Sequence, residues 1–245
     1  MSLSNLGFFT MLATLVAFPA VTKLEVDIKQ SDTRTANLPK IEVRPAVVLP
    51  VQSRDPEDLA LGRMLVASRE LADPNFAKTV ILLVHYDTEG VVGLMLNRRT
   101  DFPISRVLAQ LEAAKGRSDP VYLGGPVETP TVFALLQSTD KLERAEHVFG
   151  GVYWISTKTA LEKAISSRPD RGVFHVYLGY AGWSAAQLRN EVRRGGWFIF
   201  QADKQTVFNE NPDSLWHQMI KKTELQMAGC PTSAAPQHRQ PLAVQ

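Results

Sequence analysis

Cysteine is all but absent from this chain of 245 residues: there is one, Cys230. One thiol closes no internal disulfide and builds no cysteine zinc cage. Its surroundings are rich in Pro, Ala, Ser and Gln, and the nearest cations are Lys221, Lys222 and the distant Arg239. An inert thiol is therefore expected. A surplus of one charge sign is also missing. The 27 basic and 25 acidic residues leave a formal charge of +2, which argues against nucleic acid as a partner, since such surfaces are clustered and basic. No two histidines stand at a local metal-ligand spacing, so no metal ligand is assigned and no cofactor is called for. No Lys-Ser or Lys-Thr follows Gly124-Gly125, which excludes a P-loop. There is no internal repeat.

Charge is missing altogether from residues 1–22, and residues 6–21 are almost wholly apolar. That run is short for a bilayer span of about 20 residues. It fits the apolar part of an export signal, yet no Lys or Arg precedes it and Phe18-Pro19-Ala20 is a poor cleavage site. A membrane or export role for residues 6–21 and a cytoplasmic location both stand. Residues 23–57 carry Pro39, Pro45, Pro50 and Pro56 and read as a linker, with an edge strand at 23–29. The folded domain is expected at 58–227, and 228–245 has the composition of a disordered tail.

Within the domain, hydrophobic periodicity predicts strands at 63–68, 78–86, 91–97, 119–123, 131–137, 153–156, 172–180 and 197–201. Residues 78–97 make a hairpin around Asp87-Thr88-Glu89-Gly90. Helices are expected at 104–115, 157–167, 184–194 and from Pro212 to about 227. Ser184-Ala185-Ala186-Gln187 has the form of a capping box. Strands with interspersed helices predict an α+β fold with a mixed sheet.

Five motifs follow one another in order: Leu65-Val66-Ala67 with Asp73-Pro74-Asn75-Phe76; Gly93-Leu94-Met95-Leu96-Asn97-Arg98; Gly124-Gly125-Pro126-Val127; Gly179-Tyr180-Ala181-Gly182-Trp183 with Gln187-Leu188; and Leu215-Trp216. The series resembles the YqgE/AlgH family over about residues 62–224. The resemblance implies a bifurcated sheet curled into a pseudo-barrel with flanking helices. It also implies a bacterial, cytoplasmic protein of unassigned chemistry, associated with transcriptional regulation. Two departures stand out: Gln137 and Arg189 occupy places where the family usually has His and Glu. Any acid–base work done by that pair is lost here.

No motif brings together a nucleophile, a base and an orienting group, so no catalytic residue is assigned. A non-enzymatic binding or regulatory protein is the first reading, with an unknown protein as its partner. The second is a small-anion or metabolite binder, or an enzyme, built from Asn97, Arg98, Gly125 and Gly182. In it, Arg98, with Arg99 beside it, supplies guanidinium donors, and the 179–183 segment is a strand-to-helix turn with free N–H groups. Each of these residues also has a structural reading. Asn97 can cap a turn, Gly124-Gly125 can make a tight crossover, and Trp183 can anchor packing. His85 and His175 could share a metal with Asp87, or serve as hydrogen-bonded structural histidines.

Overall fold

The computed structural model describes residues 52–167, 169 and 173–228. The apolar run 6–21, the edge strand 23–29, Cys230 and the tail beyond 228 lie outside them, as does the linker up to residue 51.

The first half of the described chain is mostly sheet. It contains β1 (Gln52–Ser53), β2 (Arg63–Ala67), β3 (Val80–Tyr86), β4 (Val91–Met95), β5 (Arg99–Pro103), the short helix α1 (Ile104–Val107) and β6 (Pro120–Leu123). There follow β7 (Val127–Gln137), β8 (Glu146–Phe149), β9 (Val152–Ile155), α2 (Lys158–Ser166) and β10 (Phe174–Trp183). The end of the domain is α3 (Ala185–Arg193), β11 (Trp197–Gln201), α4 (Lys204–Val207) and α5 (Pro212–Ala228). The class is α+β: one eleven-stranded sheet with flanking helices, in the order β1-β11-β2-β3-β4-β10-β7-β9-β8.

The sheet branches at β10. One edge pairs antiparallel with β7, from Phe174↔Leu136 to Tyr180↔Val127. The other edge is shared. Val176–Leu178 pairs parallel with β6, and Ala181–Trp183 pairs antiparallel with β4. β5 hangs on β6 through Arg99↔Tyr122. The mixed, bifurcated character expected from the sequence is present. The strand path is open, with β1 and β8 at its ends, so strand pairing among the described residues closes no barrel.

Burial explains the elements. The first five residues of β3, Val80 to Val84, are all buried, as expected of a strand covered on both faces. The hairpin with β4 is closed by the Asp87 carboxylate, which accepts from the backbone N–H groups of Glu89 and Gly90. Gly90 itself has no positive φ. α2 buries Ala160, Leu161, Ala164 and Ile165 on one face, and the Thr157 hydroxyl caps its start. α5 lies against β2, where the Trp216 indole donates to the carbonyl of Ala67 at 2.8 Å.

The structure departs from the sequence expectations in several places. Gln52–Ser53, within the stretch read as linker, pairs with β11, and Pro56–Asp58 forms a helical turn. The helix expected at 104–115 stops at Val107. Leu108 leaves helical backbone (φ −111°, ψ 40°), and a separate turn at Glu112–Ala114 follows. This arrangement buries Ile104, Leu108 and Ala114 in one cluster with the apolar face of α2. β7 begins at Val127 rather than 131 and runs through Pro130. Proline is tolerated there because this end of β7 is paired only at Val127, to Tyr180. β10 continues to Trp183, so 179–183 is strand and not a turn. The Ser184 hydroxyl does cap α3, but the Gln187 amide turns forward to Glu191 instead of back to the cap. β5, β8 and α4 were not expected.

The β1 pairing yields a test. A chain beginning at residue 58 loses the β1–β11 ladder, the bond from Gln52 to the Thr223 carbonyl and the Arg54 guanidinium stacked 3.9 Å over Phe198. It should unfold in urea with about 1–3 kcal/mol less stability than one beginning at 47. Equal midpoints would mean that β1 contributes nothing.

Candidate functional site

The four residues singled out in the sequence have structural work to do. The Asn97 side chain accepts from the Val80 N–H at 2.9 Å and donates to the Lys78 carbonyl at 2.9 Å. It thereby holds the start of β3, where Lys78 has φ +56°. The Arg98 guanidinium donates to the carbonyl of Ala77 at 2.8 Å. Gly124 already spends its N–H on the Leu178 carbonyl and its own carbonyl on Met95. A side chain on Gly125 would run into the backbone of Tyr180 and Ala181. Gly182 lies in β10 opposite Val92 and lines a shallow depression with His85, Tyr180 and Ser184, to which Arg98 does not contribute.

Trp183 is buried, stacked 5.4 Å from Phe76 and edge-on to Trp197 at 6.2 Å. Both indole N–H groups donate to the same oxygen of Glu191, at 3.2 and 2.9 Å, and Gln187 donates to its other oxygen. Glu191 went unnoticed in the sequence. Its place on α3 only acquires meaning once β10 and β11 bring the two tryptophans beneath it.

The two histidines are separate. His85 bonds to Asp87, Nε2 to Oδ2, at 2.8 Å. The Asp87 carboxyl is held below its ordinary value, first by the backbone N–H groups of Gly90 and Glu89. His175 is buried on β10 within a different neighbourhood. Among the described residues no three His, Cys, Asp or Glu gather in an arrangement suited to a metal ion.

That neighbourhood is a cleft that gathers aromatic and charged side chains. Its volume is about 300 Å³, and it is lined by Arg99 from β5, Asp119 just before β6, Tyr122 from β6, His175 from β10, and Phe208 and Glu210 from the segment after α4. The back wall is aromatic. Tyr122 stacks on His175 at 4.7 Å and 22°, and Phe208 meets His175 edge-on at 5.2 Å. Behind them Tyr177 is fully buried 5.4 Å from Tyr122, and burial drives its phenol well above the usual range, keeping it neutral. At the entrance, Arg99 bonds Asp213 at the start of α5, Nη2 to Oδ2, at 2.8 Å. Asp119 is 8% exposed and paired with Arg117 at 2.9 Å. Arg117 in turn donates to the Pro169 carbonyl and lies over Phe174. Apolar walls with a few converging charged groups are the usual make-up of a small-ligand site. The alternation of His175 and Tyr177 on one strand face was legible in sequence. Their meeting with Tyr122, Arg99 and Phe208 depends on long-range pairing and was not.

Comparison with known proteins places the chain. Residues 64–228 match a family model described as AlgH-like. A UPF0301 protein of Chlorobaculum parvum is 32% identical over 168 residues, covering 67% of this chain and 87% of that protein. A UPF0301 protein of Ralstonia nicotianae is 37% identical over 153 residues, covering 60% of this chain and 80% of that protein. Among solved structures, the solution structure of AlgH from Pseudomonas aeruginosa aligns with a TM-score of 0.55 at 27% identity, covering 70% of this chain and 95% of that one. A crystal structure from Corynebacterium diphtheriae aligns with a TM-score of 0.57 at 19% identity, covering 67% and 87%, a likeness of fold.

If Asn97 and Arg98 fasten the hairpin, their truncations should cost differently. Asn97→Ala leaves the buried Val80 N–H without its acceptor and should cost about 1–3 kcal/mol in urea denaturation. Arg98→Ala gives up one bond to a half-buried carbonyl and should cost less than about 1.5 kcal/mol. A reversed order would reassign the anchoring role.

Proposed function

The chain belongs to the AlgH-like family, and we propose that it is a non-enzymatic, small-ligand-binding protein of regulatory type whose site is the aromatic-walled cleft around Tyr122 and His175. The observation that carries this reading is the convergence of four chain segments on one cleft of about 300 Å³. β5, the 119–122 segment, β10 and the 208–210 segment border it, and the Arg99–Asp213 pair links its rim to the start of α5. A ligand there touches elements far apart in sequence. Its contact with Arg99 would act on the Arg99–Asp213 bond that joins β5 to α5, a suitable way to alter an outer surface read by another protein. The association of the family with transcriptional regulation agrees with such a role, exerted through a protein partner rather than through direct DNA contact, since a formal charge of only +2 argues against a nucleic-acid surface.

Within this reading the anion-holding part passes from Arg98 to its neighbour. Arg98 is engaged with Ala77, whereas Arg99 is half-exposed at the entrance and spends only part of its five-donor guanidinium on Asp213.

The test is a fragment screen read by chemical-shift mapping and melting temperature. Small aromatic fragments should move the resonances of Tyr122, His175 and Asn209 and leave those of Tyr180 and Gly182 in place. At ten times the dissociation constant, a ligand adds about 1.4 kcal/mol, or roughly 3–6 °C in melting temperature. Shifts concentrated at another cavity, such as that around Leu142 and Ala164, would move the site there and refute this one.

A further inference from the structure

We infer that the domain carries a second site, an aliphatic cavity beside α2 that takes one alkyl chain with an anionic head, a medium-length carboxylate. It shares no lining residue with the aromatic-walled cleft and does not depend on it.

The cavity measures about 350 Å³. Its floor is Leu136 of β7 and Ile155 of β9, which belong to one face of the sheet because Ile155 pairs with Ala134. One wall is α2. That helix buries Leu161 and Ile165 in the core but presents only the methyl groups of Ala160 and Ala164 here. The facing wall is Leu142 and Ala145, from the loop between β7 and β8, and both are only half-buried against the same core cluster. Protein interiors are close-packed, and the short side chains of this helix face leave a space that the loop does not fill.

The lining selects the ligand. It contains no aromatic ring, so a flat ligand has nothing to stack on. Its one hydroxyl, that of Ser167, already donates to the Ala164 carbonyl at 2.7 Å. A polar group placed between the walls would lose water without gaining a side-chain partner, whereas methylene groups gain by leaving water. The charged side chains stand at the solvent margin. Lys163 of α2 reaches Glu143 of the loop at 3.3 Å, with side chains 75% and 84% exposed. Lys141 is exposed as well and forms no ion pair among the described residues. With two ammonium groups and one carboxylate around the opening, the unmatched charge is positive. An anionic head meets Lys141 there while its chain lies between the alanines and Leu142.

The experiment titrates the full-length protein with butanoate, hexanoate and octanoate, and with octanol and octylammonium, following the amide resonances of Leu142, Ala145 and Ala164. Each added pair of methylenes should tighten binding roughly tenfold, as burial of two CH₂ groups at about 0.8 kcal/mol each requires. Octanoate should bind tighter than octanol, and octylammonium weaker than either. Lys141→Gln, at an exposed position, should keep the wild-type melting temperature and remove the preference of octanoate over octanol. Ala164→Leu and Ala160→Leu fill the cavity from the helix side. Whichever keeps its melting temperature should weaken octanoate at least about tenfold, and if neither does, the chain-length series and Lys141→Gln decide. Affinity that ignores chain length, octylammonium as tight as octanoate, or a filled cavity that binds octanoate like wild type would each overturn the site. Alkanoate shifts at Tyr122 and His175 instead would put the chain in the cleft and overturn it equally.

Discussion

Everything in this fold depends on one backbone-to-backbone crossing. Gly124 and Gly125 press so closely on β10 that a Cβ on the first would strike the Gly179 carbonyl, and one on the second the peptide joining Tyr180 to Ala181. Gly179 answers with φ +67° and would, with a side chain, approach the Val127 carbonyl to 2.6 Å. Two of the five motifs are therefore two halves of one contact. They put no chemistry into the molecule. They let β10 change partners, from β6 below Gly179 to β4 above it, while β7 stays paired along its other edge. Without that change the sheet could not branch, because a regular strand has only one partner on each edge.

The branch is what creates the cleft. β6 enters beside the lower half of β10 and brings Tyr122 onto His175. β5 follows β6 and brings Arg99 to the rim. Above the crossing, the same strand delivers Trp183 to Phe76 and to Glu191, which secures α3 and β11. One half of β10 thus builds a stable core and the other half borders the cleft. That division accounts for retained motifs made of Gly, Pro, Trp and aliphatic residues. They specify the platform.

Much of the platform was legible in the sequence, for reasons that can be named. Val80 to Val84 is an unbroken apolar run, and α2 and α3 show buried positions three to five apart behind Thr157 and Ser184. Periodicity and caps are local signals. β5 carries Arg99, Asp101 and Pro103 and is largely exposed, β8 buries only Val148, and α4 is one turn held by the Asp203 carboxylate. Their partners are remote, so local pattern does not announce them. The glycine motif at 179–183 misled for a physical reason. Glycine signals either a turn or a close approach, and here close approach decided. For the same reason Gly125 and Gly182 looked like a site on paper, while Arg99, Tyr122 and His175 became neighbours only through sheet register.

The central claim is that the crossing of Gly125 over Tyr180 holds the branched sheet together. Its most direct measurement is the unfolding free energy of Gly125→Ala beside Gly90→Ala. Gly90 has only an ordinary 3.8 Å neighbour in the Trp183 carbonyl. The account predicts that Gly125→Ala loses at least about 3 kcal/mol or fails to fold cooperatively, since rigid backbone cannot give way to the added carbon. It predicts that Gly90→Ala stays within about 1 kcal/mol of wild type. A Gly125→Ala protein as stable as Gly90→Ala, with unchanged cooperativity, would contradict it.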